Sequence, residues 1–170
     1  MKYFLISKDE IFNRAPDIIN WYEDERLINE KNLNLLENRK ILKIRNEENI
    51  IWTDIISNPN FFVSEKVKEV INKYDNKIKF KQIILLDIIG AKAEVYYLPI
   101  LKFIKCLSEE SEIFGNKIKK CVIKKEIIKD EKIFRIGDVN KRYIVARLDL
   151  VESILRRGAR GLHLERVEVI

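Results

Sequence analysis

The clearest pattern of apolar and polar positions lies between Phe61 and Tyr74. Phe61, Phe62 and Val63 form a short apolar run, and Val67, Val70, Ile71 and Tyr74 then recur at i, i+3, i+4 and i+7. That spacing places one apolar stripe along one face of a helix. Ser64 stands where the helix must start, and its hydroxyl can accept one of the N–H groups left without a partner in the first turn. Glu65 puts a negative charge at the positive end of the helix dipole. After a turn at Asp75-Asn76, the residues from Ile78 to Ile89 make an apolar strand run. A second unit of this kind closes the sequence. Tyr143-Ile144-Val145 reads as a strand, and Leu148, Val151, Ile154 and Leu155 stripe a helix. Arg156 and Arg157 fill the last turn of that helix, and Gly158 is placed to take the left-handed position beyond it. Leu162, Leu164, Val167 and Val169 then form the return strand.

The remaining pattern is mostly of strands. Lys2 to Ser7 predicts a first strand, rich in aromatic and β-branched residues. Lys40 to Arg45 and Ile50 to Ile56 predict two strands joined in a hairpin through Asn46 to Asn49. Asn58-Pro59-Asn60 is a strong turn signal. The run from Glu94 to Lys105 carries Pro99, so it reads as two strands, a bulge or an edge strand. Lys117 to Lys129, Ile133 to Ile136 and the strand at Val145 fit a meander. Ile18 to Glu37 stays open between a helix and a short strand with a loop, because Asn29, Asn32 and Asn34 compete with helical bonding. With strands outnumbering helices, the expected fold is α+β, a mainly antiparallel sheet with two or three helices packed on it and two strand–helix–strand units.

Composition narrows the class. At 170 residues, with 46% hydrophobic and 35% charged residues, the chain is expected to form a single domain over 1–170 with a core of its own. The net charge of +6 is a modest excess, because 27 acids offset 33 Lys and Arg. It is compatible with an acidic protein partner, a nucleic acid or an anionic surface. The apolar run at the start is too short for a signal peptide, and no stretch approaches the ~18 apolar residues of a membrane span. A cytoplasmic protein with reduced cysteines is the expectation, and no membrane partner is expected.

Candidate chemistry is sparse. His163 is the only histidine, and the alternation Leu162-His163-Leu164 points it away from the core side. Cys106 and Cys121 lack the clustered spacing of a metal site. Glu23-Asp24-Glu25 reads as a solvated acidic cluster, the usual fate of a charge run, and neighbouring residues on a helix point in different directions, which disfavours paired acid/base work. Arg156-Arg157-Gly158-Ala159-Arg160-Gly161 lies at a helix C-terminus, the wrong end for cradling phosphate. Lys117, Lys119, Lys120, Lys124 and Lys125 predict a basic strand that either guards a sheet edge or tracks a nucleic acid. Trp21, Trp52 and Tyr96 are the aromatics expected to mark a contact surface. The nucleotide-binding and hydrolase motifs are missing. No catalytic, cofactor-binding or metal-binding residue is assigned.

Several stretches in order carry a further signal: Tyr3-Phe4-Leu5-Ile6; Phe62-Val63-Ser64-Glu65-Lys66; Tyr96-Tyr97, leading to Ile104 and Cys106; Ile133-Phe134-Arg135, followed by Tyr143-Ile144-Val145; and Gly161-Leu162. In this order the chain resembles a family of bacterial immunity proteins found beside polymorphic toxins, the myxobacterial-type immunity domain. The resemblance covers the first strand and the chain from about Trp52 to the end, leaving residues 18–49 without a counterpart. It implies a non-enzymatic protein that needs no cofactor and neutralises a cognate toxin by occluding it. The basic charge points to an acidic toxin surface. The alternative is a basic nucleic-acid-binding module built on Lys117–Lys125, although nucleic acid is not the expected partner.

Overall fold

The computed structural model describes residues 1–170. In chain order the elements are β1 (Tyr3–Lys8), β2 (Arg39–Lys43), β3 (Ile55–Ile56), β4 (Phe62–Ser64), α1 (Glu65–Tyr74), β5 (Lys79–Asp87) and β6 (Lys92–Ile100). There follow β7 (Phe103–Ile104), β8 (Glu112–Phe114), β9 (Lys117–Lys120), β10 (Val122–Ile123), α2 (Lys125–Ile128), β11 (Ile133–Ile136), β12 (Ile144–Arg147), α3 (Leu148–Arg156) and β13 (Leu162–Val169). The fold is α+β, as expected. A six-stranded sheet has the order β10-β13-β1-β12-β11-β7, a five-stranded sheet has the order β2-β5-β6-β4-β3, and β8-β9 is a separate two-stranded ribbon. Pairing is antiparallel except for β2 with β5, β10 with β13 and β11 with β7.

Both strand–helix–strand units are present, and they share one topology. β4 and β5 each run antiparallel to β6, which lies between them. β12 and β13 each run antiparallel to β1, which lies between them. Each helix therefore connects two parallel strands across one intervening strand, a split β-α-β arrangement. The helices start as the sequence implies. Ser64 caps α1 by accepting from the Val67 N–H, with Glu65 in the first turn. α3 has no side-chain cap at Arg147, but carries Asp149 in its first turn.

The two helices face one another in the largest core. Val67, Val70 and Ile71 of α1 meet Leu150, Val151 and Ile154 of α3, between Ile55 and Val63 of one sheet and Ile6, Ile133, Ile144 and Ala146 of the other. Full burial of a side chain such as Ile71 contributes about 1.5–3 kcal/mol. A second core lies on the far side of the five-stranded sheet, where Ile18, Ile28 and Leu36 cover Leu42, Phe62, Ile83, Leu85, Tyr96 and Leu98. A third lies on the far side of the six-stranded sheet, around Tyr3, Phe134, Val145, Cys106 and Cys121.

Several expectations are corrected. β2 does not form a hairpin with the segment around Trp52; it pairs in parallel with β5, and Ile55–Ile56 pairs with β4. Alternation reveals a strand but not its partner, which the burial of Leu42 and Ile44 in the second core decides. The run from Glu94 is two strands, but Pro99 does not divide them: β6 runs through it, opposite Phe80, and the break falls after Ile100, before β7. Of the meander expected from Lys117 to Val145 only the antiparallel pair β11–β12 forms, because β9 pairs with β8 and β10 pairs with β13. Ile18 to Glu37 holds two short 3-10 turns, Glu25–Leu27 and Glu30–Leu35, capped by Asp24 and Asn29. No helix is long and apolar enough to cross a membrane.

Candidate partner-binding face

The residues singled out for chemistry do not converge. His163 is exposed on β13, between the partly buried Leu162 and Leu164. Cys106 and Cys121 are buried free thiols. Burial, the largest cause for each, pushes both up to about 12, which leaves them protonated and inert at neutral pH. The basic segment after α3 is structural: Arg157 pairs with Glu69 of α1, Gly158 takes φ 72°, and the Arg160 N–H donates to Asp54. The lysines of 117–125 do not form one strand. Lys117, Lys119 and Lys120 lie on the β8–β9 ribbon, Lys124 follows β10, and Lys125 begins α2.

The acidic cluster is not a solvated face. Glu23 pairs with Lys40, and Asp24 caps a turn. Glu25 reaches across to the six-stranded sheet, where Arg135 Nη1 donates to it at 3.0 Å and Arg142 Nη2 donates to its other oxygen. Of the expected aromatic markers Tyr96 is interior, while Trp21 and Trp52 are half-buried against the second core. Tyr96 is buried and donates its hydroxyl to the Thr53 carbonyl at 2.6 Å. Trp21 packs edge-on against Phe62, and Trp52 packs beside Tyr96.

The uncovered surface lies on the five-stranded sheet. Strand alternation gives this sheet two faces. Ile83 and Leu85 of β5, Tyr96 and Leu98 of β6, and Leu42 of β2 point into the second core. On the other face, α1 covers the end nearest β4, where Lys68 Nζ sits 3.9 Å from the centre of the Tyr97 ring. Beyond Tyr97 the face is open. Ile41 lies opposite Ile84, and Ile84 opposite Val95. In the next row Leu86 lies between Lys43 and Ala93. Ile41 is 58% exposed and Val95 40% exposed, while Ile84 and Leu86 are half-buried. None of these apolar side chains belongs to any of the three cores. Ile88 and Ile89, in the turn joining β5 to β6, are also exposed.

A solvated face of a sheet is normally polar, so an aliphatic cluster spanning three strands stands out on this surface. Its ionic border is cationic. Arg39 and Lys43 flank Ile41 on the edge strand β2, and both are exposed. Arg39 bonds the Gln82 side chain, and neither cation makes an ion pair, whereas Lys68 on the opposite border is matched by Glu65. The sequence carries a signal for this face. Ile83-Ile84-Leu85-Leu86 is apolar at both alternations, the mark of a strand built to be covered on both sides.

Comparison with known families agrees with the resemblance read from the sequence. The model of the Imm11 immunity protein family matches residues 5–169, so the chain belongs to that family. No curated protein matches it.

Proposed function

We propose that this member of the Imm11 immunity protein family protects the cell that makes it by binding a toxin and covering the toxin's working surface. It acts in the cytoplasm as one α+β domain, and its contribution is a shaped surface, not a reaction. The observation that carries the reading is the open aliphatic face around Ile84. Burying such a face gives an interface its apolar centre, with polar groups left for the rim. The test is co-expression with the toxin encoded beside its gene. Restored growth together with an isolable complex is the expected result. Undiminished toxicity with no complex overturns the reading.

A further inference from the structure

Resting on that reading, we infer that the toxin docks on the open face of the five-stranded sheet and presents there an apolar ridge bordered by carboxylates, which Arg39 and Lys43 read. Ile41, Ile84, Leu86 and Val95 supply a continuous aliphatic centre over β2, β5 and β6. The two cations that border it on β2 make no ion pair within the molecule. An acidic partner supplies the missing counter-charges, and removing the wrong partners by charge is what such a border does.

A second copy of this chain is a poor occupant. In a two-fold interface the same patch meets itself, so the unpaired Arg39 and Lys43 of one copy would meet either the same cations or the opposite border, where Glu65 is already matched by Lys68. A nucleic acid is equally poorly served, because the centre of the face is aliphatic and offers no ring on which a base can stack.

Binding to the purified toxin encoded beside the gene, carrying an inactivating substitution so that it can be prepared, is measured by calorimetry at two salt concentrations. The proteins are the wild type, Arg39→Glu/Lys43→Glu, Ile41→Glu, Val95→Glu and a control, Lys117→Glu/Lys119→Glu, on the β8–β9 ribbon. All four variants alter exposed side chains, and a thermal melt checks that each folds. The double reversal on β2 is expected to weaken binding at least about tenfold and to flatten its salt dependence. Ile41→Glu is expected to weaken binding about 30-fold, the scale of an interface hot spot. The ribbon control is expected to bind like the wild type.

If the wild type binds and the face variants bind equally well, the inference is overturned while the immunity reading stands. If the wild type neither binds nor protects, the immunity reading itself has failed. Sedimentation of the protein alone tests the second copy: a dimer that Val95→Glu dissociates overturns the inference. So does retention on vesicles of mixed phosphatidylcholine and phosphatidylserine that Arg39→Glu/Lys43→Glu abolishes.

Discussion

The hydroxyl of Tyr74, at the end of α1, lies 2.6 Å from Ser153 Oγ on α3 and donates to the Asp149 carbonyl at 2.9 Å. These contacts join the helices of the two split β-α-β units beside the core that they share. Tyr74 is also the last position of the apolar stripe on α1, so its ring packs against the same core that its hydroxyl spans.

Tyr74→Phe keeps the ring and removes both contacts. Each neutral hydrogen bond contributes about 0.5–1.5 kcal/mol net. The expected loss is about 1–2 kcal/mol, seen as a fall in Tm of about 2–8 °C in a chain of this size. Ser153→Ala alone should cost less, and a double-mutant cycle between the two positions should show coupling, because the side chains touch.

Gly161 and Gly158 flank the short connection from α3 to β13, and both have positive φ, at 81° and 72°. They differ in their surroundings. A Cβ on Gly161 would lie 2.5 Å from Thr53 Cγ2, whereas a Cβ on Gly158 meets nothing within 4 Å. Gly158→Ala should therefore cost only the conformational strain, about 1 kcal/mol. Gly161→Ala adds an overpacking cost at the buried Thr53 and should lose about 2–4 kcal/mol in total. Denaturant titration of the two variants separates strain from crowding; equal losses would show that the Thr53 contact relaxes freely.

The split units are legible because local rules and tertiary demands agree there. The stripe on α1 is the face that α3 covers, Ser64 caps where its hydroxyl can reach Val67, and β13 begins and ends where Leu162 and Val169 mark it. What the sequence leaves open is non-local. Nothing in Lys40–Arg45 says that β2 lies parallel to β5, since period two carries no partner identity. Trp21, Trp52 and Tyr96 are amphipathic and suit either a surface or a core lid, and it is the packing of Phe62 and Thr53 against them that makes them lids. The open face is half legible: the double apolar alternation of β5 shows that it wants cover on both sides, but only the fold reveals which side lacks it.

Glu25 is the residue whose surroundings depart most from its sequence context. It accepts from Arg135, from Arg142 and from Asn60 Nδ2, so one carboxylate from the segment 18–38 holds a guanidinium of β11 and another of the β11–β12 loop. The Arg142 side chain is only 14% exposed, its Nε has no partner, and desolvation is the main cause lowering its pKa. Glu25→Ala leaves both cations uncompensated. Loss of one partner of a fully buried pair costs about 3–5 kcal/mol, and the partial exposure of Glu25 brings the expected loss to about 1–3 kcal/mol. Limited proteolysis should also cut between residues 18 and 38 sooner in this variant, because Glu25 is a tie from that segment to the six-stranded sheet. An unchanged cleavage rate would show that Ile28 and Leu36 anchor the segment alone.

Asp149 sets a pH dependence whose sign follows from Arg147. The guanidinium donates through Nε to one carboxylate oxygen at 2.7 Å and through Nη2 to the other at 2.5 Å. These bonds are the largest cause holding the Asp149 carboxyl below its usual range, and the first-turn N–H of Leu150 adds to them. A carboxylate with a lowered pKa in the folded state stabilises the fold above its unfolded value, about 3.9. That contribution is lost as pH falls through the lower, folded value. Asp130 is also held low, first by its bond to Lys132 and further by the charge of Arg147. Asp149→Asn should therefore be less stable than the wild type at neutral pH, and the difference should shrink steadily below about pH 4 as the wild-type carboxyl takes up its proton. Urea midpoints measured between pH 7 and pH 2 test this. A difference that stays constant across the range would mean that the substituted amide loses a packing contact and that the charge of Asp149 contributes nothing.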